Sequence, residues 1–364
     1  MFGMMVMKEN KHNGIISFWK FAFAMMIVIL HCSDFAQAGD TVIFKEGSIG
    51  VEFFFITSGF LLAVSAFKKT DDSNIIKDTW KFIYRKFIKL LPYVLFAAIL
   101  LAAGYMFSSS HTLAEWITSI WDVLLLRMTG IQTFRLNAVA WYISAMLLAM
   151  LIIYPLVRKY KKKYTCFIAP LIIIFLAGFM SHEYGSLRTP MQWLDFCYKG
   201  TLRAFLEINI GVVAYEICQY LKTINFTKLG KKLLTFLEVA CFTSIFLIVQ
   251  FLDNSPRIDY VMLVILATGI IIAFTAKTYT YSLCSNKFCY YLERLSLPVY
   301  LNQMFVINAV KYFSFFERFN YYQKIAIVLV LLIILSIITM KIIDLFERNK
   351  GKITSYFKNK LVEG

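Results

Sequence analysis

The chain returns repeatedly to apolar runs long enough to cross a bilayer. Spanning a hydrocarbon core about 30 Å thick takes roughly 17–25 residues of helix. Such runs occur at about 14–32, 48–67, 87–107, 139–157, 165–181, 201–220, 233–252, 259–276, 292–312 and 324–346. Of the 364 residues, 59% are hydrophobic, 35 are Phe and only 16% are charged, with a mean hydropathy of +0.66. Soluble domains do not have this composition. The expected fold is all-α: a polytopic membrane helix bundle of about ten transmembrane helices, one domain over residues 1–346 followed by a short basic tail at 347–364.

Lysine and arginine near span ends stay on the cytoplasmic side, and this sets the orientation. With the N-terminus inside, one set of segments holds Lys8, Lys11 and Lys20, the basic stretch from Lys68 to Lys89, RKYKKKY at 158–164, KLGKK at 228–232, Lys277, Lys287, Arg294 and the RNKGKITSYFKNK tail. The opposite set holds chiefly Lys45, Arg127, Arg135, Arg188, Lys199, Arg257 and Arg318. Both termini are therefore expected in the cytoplasm. The net charge of +16 follows from topology and anionic lipid, and calls for no nucleic-acid partner. Lys8, Lys11, the first apolar run and AQA at 36–38 imitate a secretory signal, but a cut there falls later than the usual 15–30 residues.

Seven cysteines in or near apolar surroundings form no disulfide framework and are expected as free thiols. The four histidines, at 12, 31, 111 and 182, lack metal-ligand spacing, so no metal is expected. Phosphate-loop, nucleophile-elbow and dinucleotide fingerprints are missing, and the longest segment between spans, about 30 residues, is too short for a further soluble domain. Chemistry must therefore happen within the bundle or at its faces.

WKFAFAMMIVILHCS at 19–33 places Lys20 and His31 inside the first run. Eleven residues at 100° each end about 20° past three full turns, so the two share a face, about 16 Å apart along the axis, with Ala24 and Ile27 between them. Ionisable groups in a span normally face the bundle interior or a water-filled cavity, and mark function. Snorkelling of Lys20 and an interfacial His31 account for the pair equally well.

Three stretches carry a resemblance. HNGIISFWKFAFAMMIVILHCSDF, GSIGVEFFFITSGFLLAVS at 47–65 and FIYRKFIKLLPYVLF at 82–96 resemble the first three spans of the acyltransferase 3 family of membrane acyltransferases. The family's first span has a basic residue, ten residues, then histidine. The second span's motif is matched by Gly50, Val51, Glu52, Phe54, Phe55, Ser58, Gly59, Phe60 and Leu61, and the basic approach to the third span by Arg85, Lys86, Lys89 and Pro92. Weaker echoes follow at 140–156, 202–215 and 292–307. Lys20 stands where arginine is usual, Met146 where many members place a glutamate, and Gln303 where a second histidine is common. The extracytoplasmic hydrolase-like domain of some relatives is missing, so the chain would act alone or with a separate extracytoplasmic partner.

The resemblance implies transfer of an acyl group, most often acetyl, from cytoplasmic acyl-coenzyme A to a hydroxyl of an extracytoplasmic or lipid-linked polysaccharide, in what is expected to be a bacterial plasma membrane. Arg85, Lys86 and Lys89 are the expected donor-binding residues, since a basic cluster at the mouth of a bundle suits coenzyme A phosphates; positive-inside retention explains each equally well. His31, Lys20 and Glu52 are the expected catalytic set. His31 would act as general base or acyl carrier. Glu52 would orient His31 or Lys20, or serve as a structural ion-pair member. Arg203 and Glu207, four apart, read as an intrahelical pair, and Ser58 and Gly59 as close packing. Trp116 and Trp121 read as interfacial anchors, with sugar stacking the alternative. A transporter or flippase for a lipid-linked saccharide is the competing class, although no motif of the first half recurs in the second.

Overall fold

A computed structural model describes residues 13–69, 74–108, 111–131, 134–252 and 257–360; Lys8, Lys11 and His12 lie outside them. Ten long helices run through it: α1 (Gly14–His31), α2 (Gly50–Phe67), α3 (Ile75–Ser108), α4 (Trp141–Tyr160), α5 (Ala169–Tyr184), α6 (Lys199–Thr223), α7 (Lys228–Phe251), α8 (Ile258–Thr275), α9 (Lys287–Tyr312) and α10 (Tyr321–Lys360). No strand occurs among the described residues. In hydrocarbon every backbone polar group needs an internal partner, and a helix supplies it within one segment.

The ten helices coincide with the ten apolar runs, and eight of the stretches are long and apolar enough to cross a membrane by length and composition alone. The two that miss that measure, α6 and α9, carry Lys199, Arg203, Glu207 and Glu216, and Glu293, Arg294 and Lys311. Two helices also outrun their apolar cores. α3 starts at Ile75 rather than near 87, with Asp78 in its first turn complementing the helix dipole. α10 continues to Lys360, where the apolar run ends near 346.

Burial separates an inner from an outer ring. The spanning windows of α2 and α4 are 72% buried, those of α3 and α5 only 22%, so the latter turn large apolar side chains such as Ile99, Ile174 and Phe175 to lipid. Two long helices, α2 and α6, approach backbone to backbone. A Cβ at Gly59 would lie 2.1 Å from the Ile208 carbonyl oxygen, and one at Gly211 2.0 Å from that of Ile56, so only glycine lets the backbones touch.

α1 lies between α2 and α7 on one flank and α9 on the other. Trp19 packs on Phe242 at 4.9 Å, and Phe23 stacks on Phe53 at 4.7 Å and Phe246 at 5.1 Å. On its other flank Ala24 and Val28 join Val299 and Val306 of α9 in one buried cluster.

Cations close the helix ends on the side that the lysine bias assigns to the cytoplasm. Fully buried Arg158 donates to the Lys69 carbonyl (2.9 Å) and to Asp78 (3.1 Å), and Lys161 donates to the same carbonyl (2.5 Å). Lys277 donates to the carbonyls of Leu221, Lys222 and Ile224 at the end of α6. These residues satisfy carbonyls that a helix C-terminus leaves without partners, a role their positive-inside pattern did not reveal.

Candidate active site

Of the two ionisable groups of α1, Lys20 meets α9. Lys20 Nζ lies 2.9 Å from Glu293 Oε1, and Ser17 Oγ donates to Glu293 Oε2 at 2.9 Å. His31 is the last residue of α1 and is half-buried. Its ring makes no hydrogen bond or ion pair to a described residue. The charges acting on it are those of Asp34 and Lys311, which pair with each other at 2.6 Å. The strip between Lys20 and His31 is filled, because Ala24 and Ile27 are buried at 0% and 2% exposure.

On α3, Arg85 and Lys89 are exposed and Lys86 is half-buried, its ammonium 5.4 Å from the centre of the Phe82 ring. None of the three pairs with a carboxylate among the described residues. The charges of Lys20 and Lys89 both act on Lys86, so Lys20 belongs electrostatically with the α3 cluster. Beside it on α9, Arg294 pairs with Asp344 of α10 at 2.5 Å and meets the Tyr93 hydroxyl of α3.

The structure brings Glu52 to Arg203, not to His31 or Lys20. Arg203 also reaches Glu207 at 3.2 Å within α6 and stands over the Trp141 ring at 5.5 Å. The intrahelical pair thus extends across the α2–α6 contact into a buried Glu–Arg–Glu triad. Oε2 of Glu52 and Oε2 of Glu207 have no hydrogen-bond partner among the described residues, and Asp259 of α8 adds a third nearby carboxylate. Ser58 donates to the Met146 sulfur at 3.3 Å, so it links α2 to α4 where the family often has a carboxylate. Gln303 is fully buried, donating to the Tyr300 carbonyl at 2.7 Å, while its Oε1 has no hydrogen-bond partner among the described residues.

The segment between α3 and α4 lies against α9. It contains two short helices, Leu113–Thr118 and Ile120–Val123, the first opened by a capping box between Thr112 and Glu115. Asp122 and Arg127 pair at 3.0 Å, each only 3% exposed. Arg127 donates to the Asn137 carbonyl at 2.7 Å, and the Asn137 backbone N–H to Asp122 at 3.0 Å. Burial pushes the Asp122 carboxyl above its ordinary value, against the pull of Arg127. Asn137 then donates to the Leu301 carbonyl (3.1 Å), and Tyr300 to that of Val139 (2.8 Å). Trp116 packs edge-on to His111 and Phe134, both at 5.9 Å, while Trp121 is exposed.

Sequence reading missed Glu293 and Asp259. Both are carboxylates at or inside apolar runs, a signal in its own right.

The fold and the charges inside it define a multi-pass helical membrane protein that keeps ionisable groups on its inner helices. A family model described as an acyltransferase domain, that of acyltransferase 3, matches residues 13–343, and the chain belongs to that family. It is a membrane acyltransferase. Comparison with curated proteins and with solved structures gave no match.

Proposed function

We propose that this acyltransferase moves an acyl group, in the first instance acetyl, from acyl-coenzyme A in the cytoplasm to a hydroxyl of an extracytoplasmic or cell-surface polysaccharide, in the plasma membrane of a bacterium. One observation carries the reading. The same helix, α1, holds Lys20 at its basic end in the electrostatic neighbourhood of Lys86 and Lys89, which have no carboxylate partner among the described residues, and at its other end an imidazole with no hydrogen-bond or ion-pair partner among them.

Arg85, Lys86, Lys89 and Lys20 suit the phosphates of coenzyme A. At the other end the acceptor hydroxyl oxygen attacks the thioester carbonyl carbon while His31 takes the hydroxyl proton. The carbon–sulfur bond then breaks, and the thiolate leaves and takes up that proton as coenzyme A thiol. In the two-step variant the imidazole nitrogen carries the acyl group between donor and acceptor. Glu52, through Arg203, sets α2 against α6. A separate extracytoplasmic partner is compatible with this scheme, because even the longest segment between spans, about 30 residues, is too short for a further soluble domain.

The test is the mass of the glycan made by cells with and without the protein, together with transfer of labelled acetyl from acetyl-coenzyme A by purified protein. A gain of one acetyl unit per modified sugar is the expected result. Inertness with every acyl donor would overturn the proposal in favour of transport of a lipid-linked saccharide.

A further inference from the structure

We propose that Glu293 is the counterion that closes the donor entrance between α1 and α9, and that the phosphates of acyl-coenzyme A displace it from Lys20; this rests on the acyl-coenzyme A reading above. Three features point to it. Glu293 is the carboxylate that Lys20 meets, at 2.9 Å, in a neighbourhood where Lys86 feels both Lys20 and Lys89 as like charges. Its second oxygen is fixed by Ser17, one turn before Lys20, at 2.9 Å, so both oxygens of one α9 side chain clasp α1. Beyond the clasp Ala24 and Ile27 leave no open path toward His31.

The clasp is suited to exchange rather than to permanent closure. Its two side chains are 20% and 33% exposed, so water and salt screen them and the pair adds little to the stability of the bundle. A phosphate oxygen offers the Lys20 ammonium the same charge-assisted hydrogen bond as a carboxylate does. A donor that also engages Lys86 and Lys89 replaces one partner by several.

The experiment compares Michaelis constants for acetyl-coenzyme A in proteoliposomes. Glu293→Gln keeps the shape and the contact with Ser17 but removes the competing charge. It should lower the constant about two- to fivefold at low ionic strength, the range that an exposed ion pair allows. The gain should shrink at high salt and vanish in a Lys20→Met background, because the two residues act on each other. Should Glu293→Gln fail to insert, Ser17→Ala loosens the same carboxylate and should move the constant the same way by less. A wild-type protein inert toward acyl-coenzyme A overturns the function, and the clasp with it. An active wild type whose constant is unchanged or raised by Glu293→Gln, or lowered equally without Lys20, overturns the clasp alone.

Discussion

His31 and Lys20 stand on one face of α1, but the structure gives them different company, and their variants should separate accordingly. His31→Ala should abolish transfer while leaving insertion and donor binding intact, since a base or acyl carrier acts in the chemical step. His31→Gln, which keeps a hydrogen bond but cannot carry a proton, should be as inactive. Lys20→Arg keeps the charge and should keep activity, whereas Lys20→Met should raise the Michaelis constant for the donor. Labelled-acetyl transfer by well-inserted variants decides, and a His31→Ala protein working at the normal rate would remove the catalytic role. The face shared by Lys20 and His31 was legible from helical spacing, because 100° per residue needs no tertiary information. Their partners were not. Glu293 lies 273 positions from Lys20, and Arg203 lies 151 from Glu52; which helix faces which is decided by packing between spans, and a one-dimensional pattern does not carry it.

Helix positions followed from hydropathy, because a bilayer imposes one length and one composition on every crossing. α6 and α9 were found among the ten runs although they carry more charge than the others; in α6, Arg203 and Glu207 are tolerated by being buried against partners. Gly59 was read from the sequence as a close-packing residue; that it faces Gly211 was not. The two glycines predict a coupled effect. Gly59→Ala or Gly211→Ala forces α2 and α6 apart, at a cost of about 1–3 kcal/mol by the usual penalty for overpacking. Because each opens the same seam, the double variant should be destabilised by clearly less than the sum of the singles. Thermal unfolding in detergent measures it; additive losses would mean that the helices relax independently.

For the molecule as a whole, the lysine bias predicts which faces meet the outside. Single cysteines placed at 33–46 or 182–199 should be labelled by an impermeant reagent on intact cells, and those placed at 159–163 or 222–232 should not. The reverse pattern would invert the bundle and move the basic cluster of α3 away from cytoplasmic donor.

That cluster has a consequence for the energetics of the membrane. Under the proposed reaction, Lys20, Lys86 and Lys89 retain the phosphates of the donor on their own side, so what passes toward His31 is an uncharged acyl group. A charge moved across the bilayer would feel about 2.3 kcal/mol for every 100 mV, roughly a fiftyfold bias in equilibrium. Here no net charge crosses, and turnover in proteoliposomes should be the same with the voltage clamped at zero or at 100 mV by a potassium gradient and valinomycin. Cells could then acylate their surface glycan as fast when de-energised as when fully energised, limited by the supply of donor and acceptor alone.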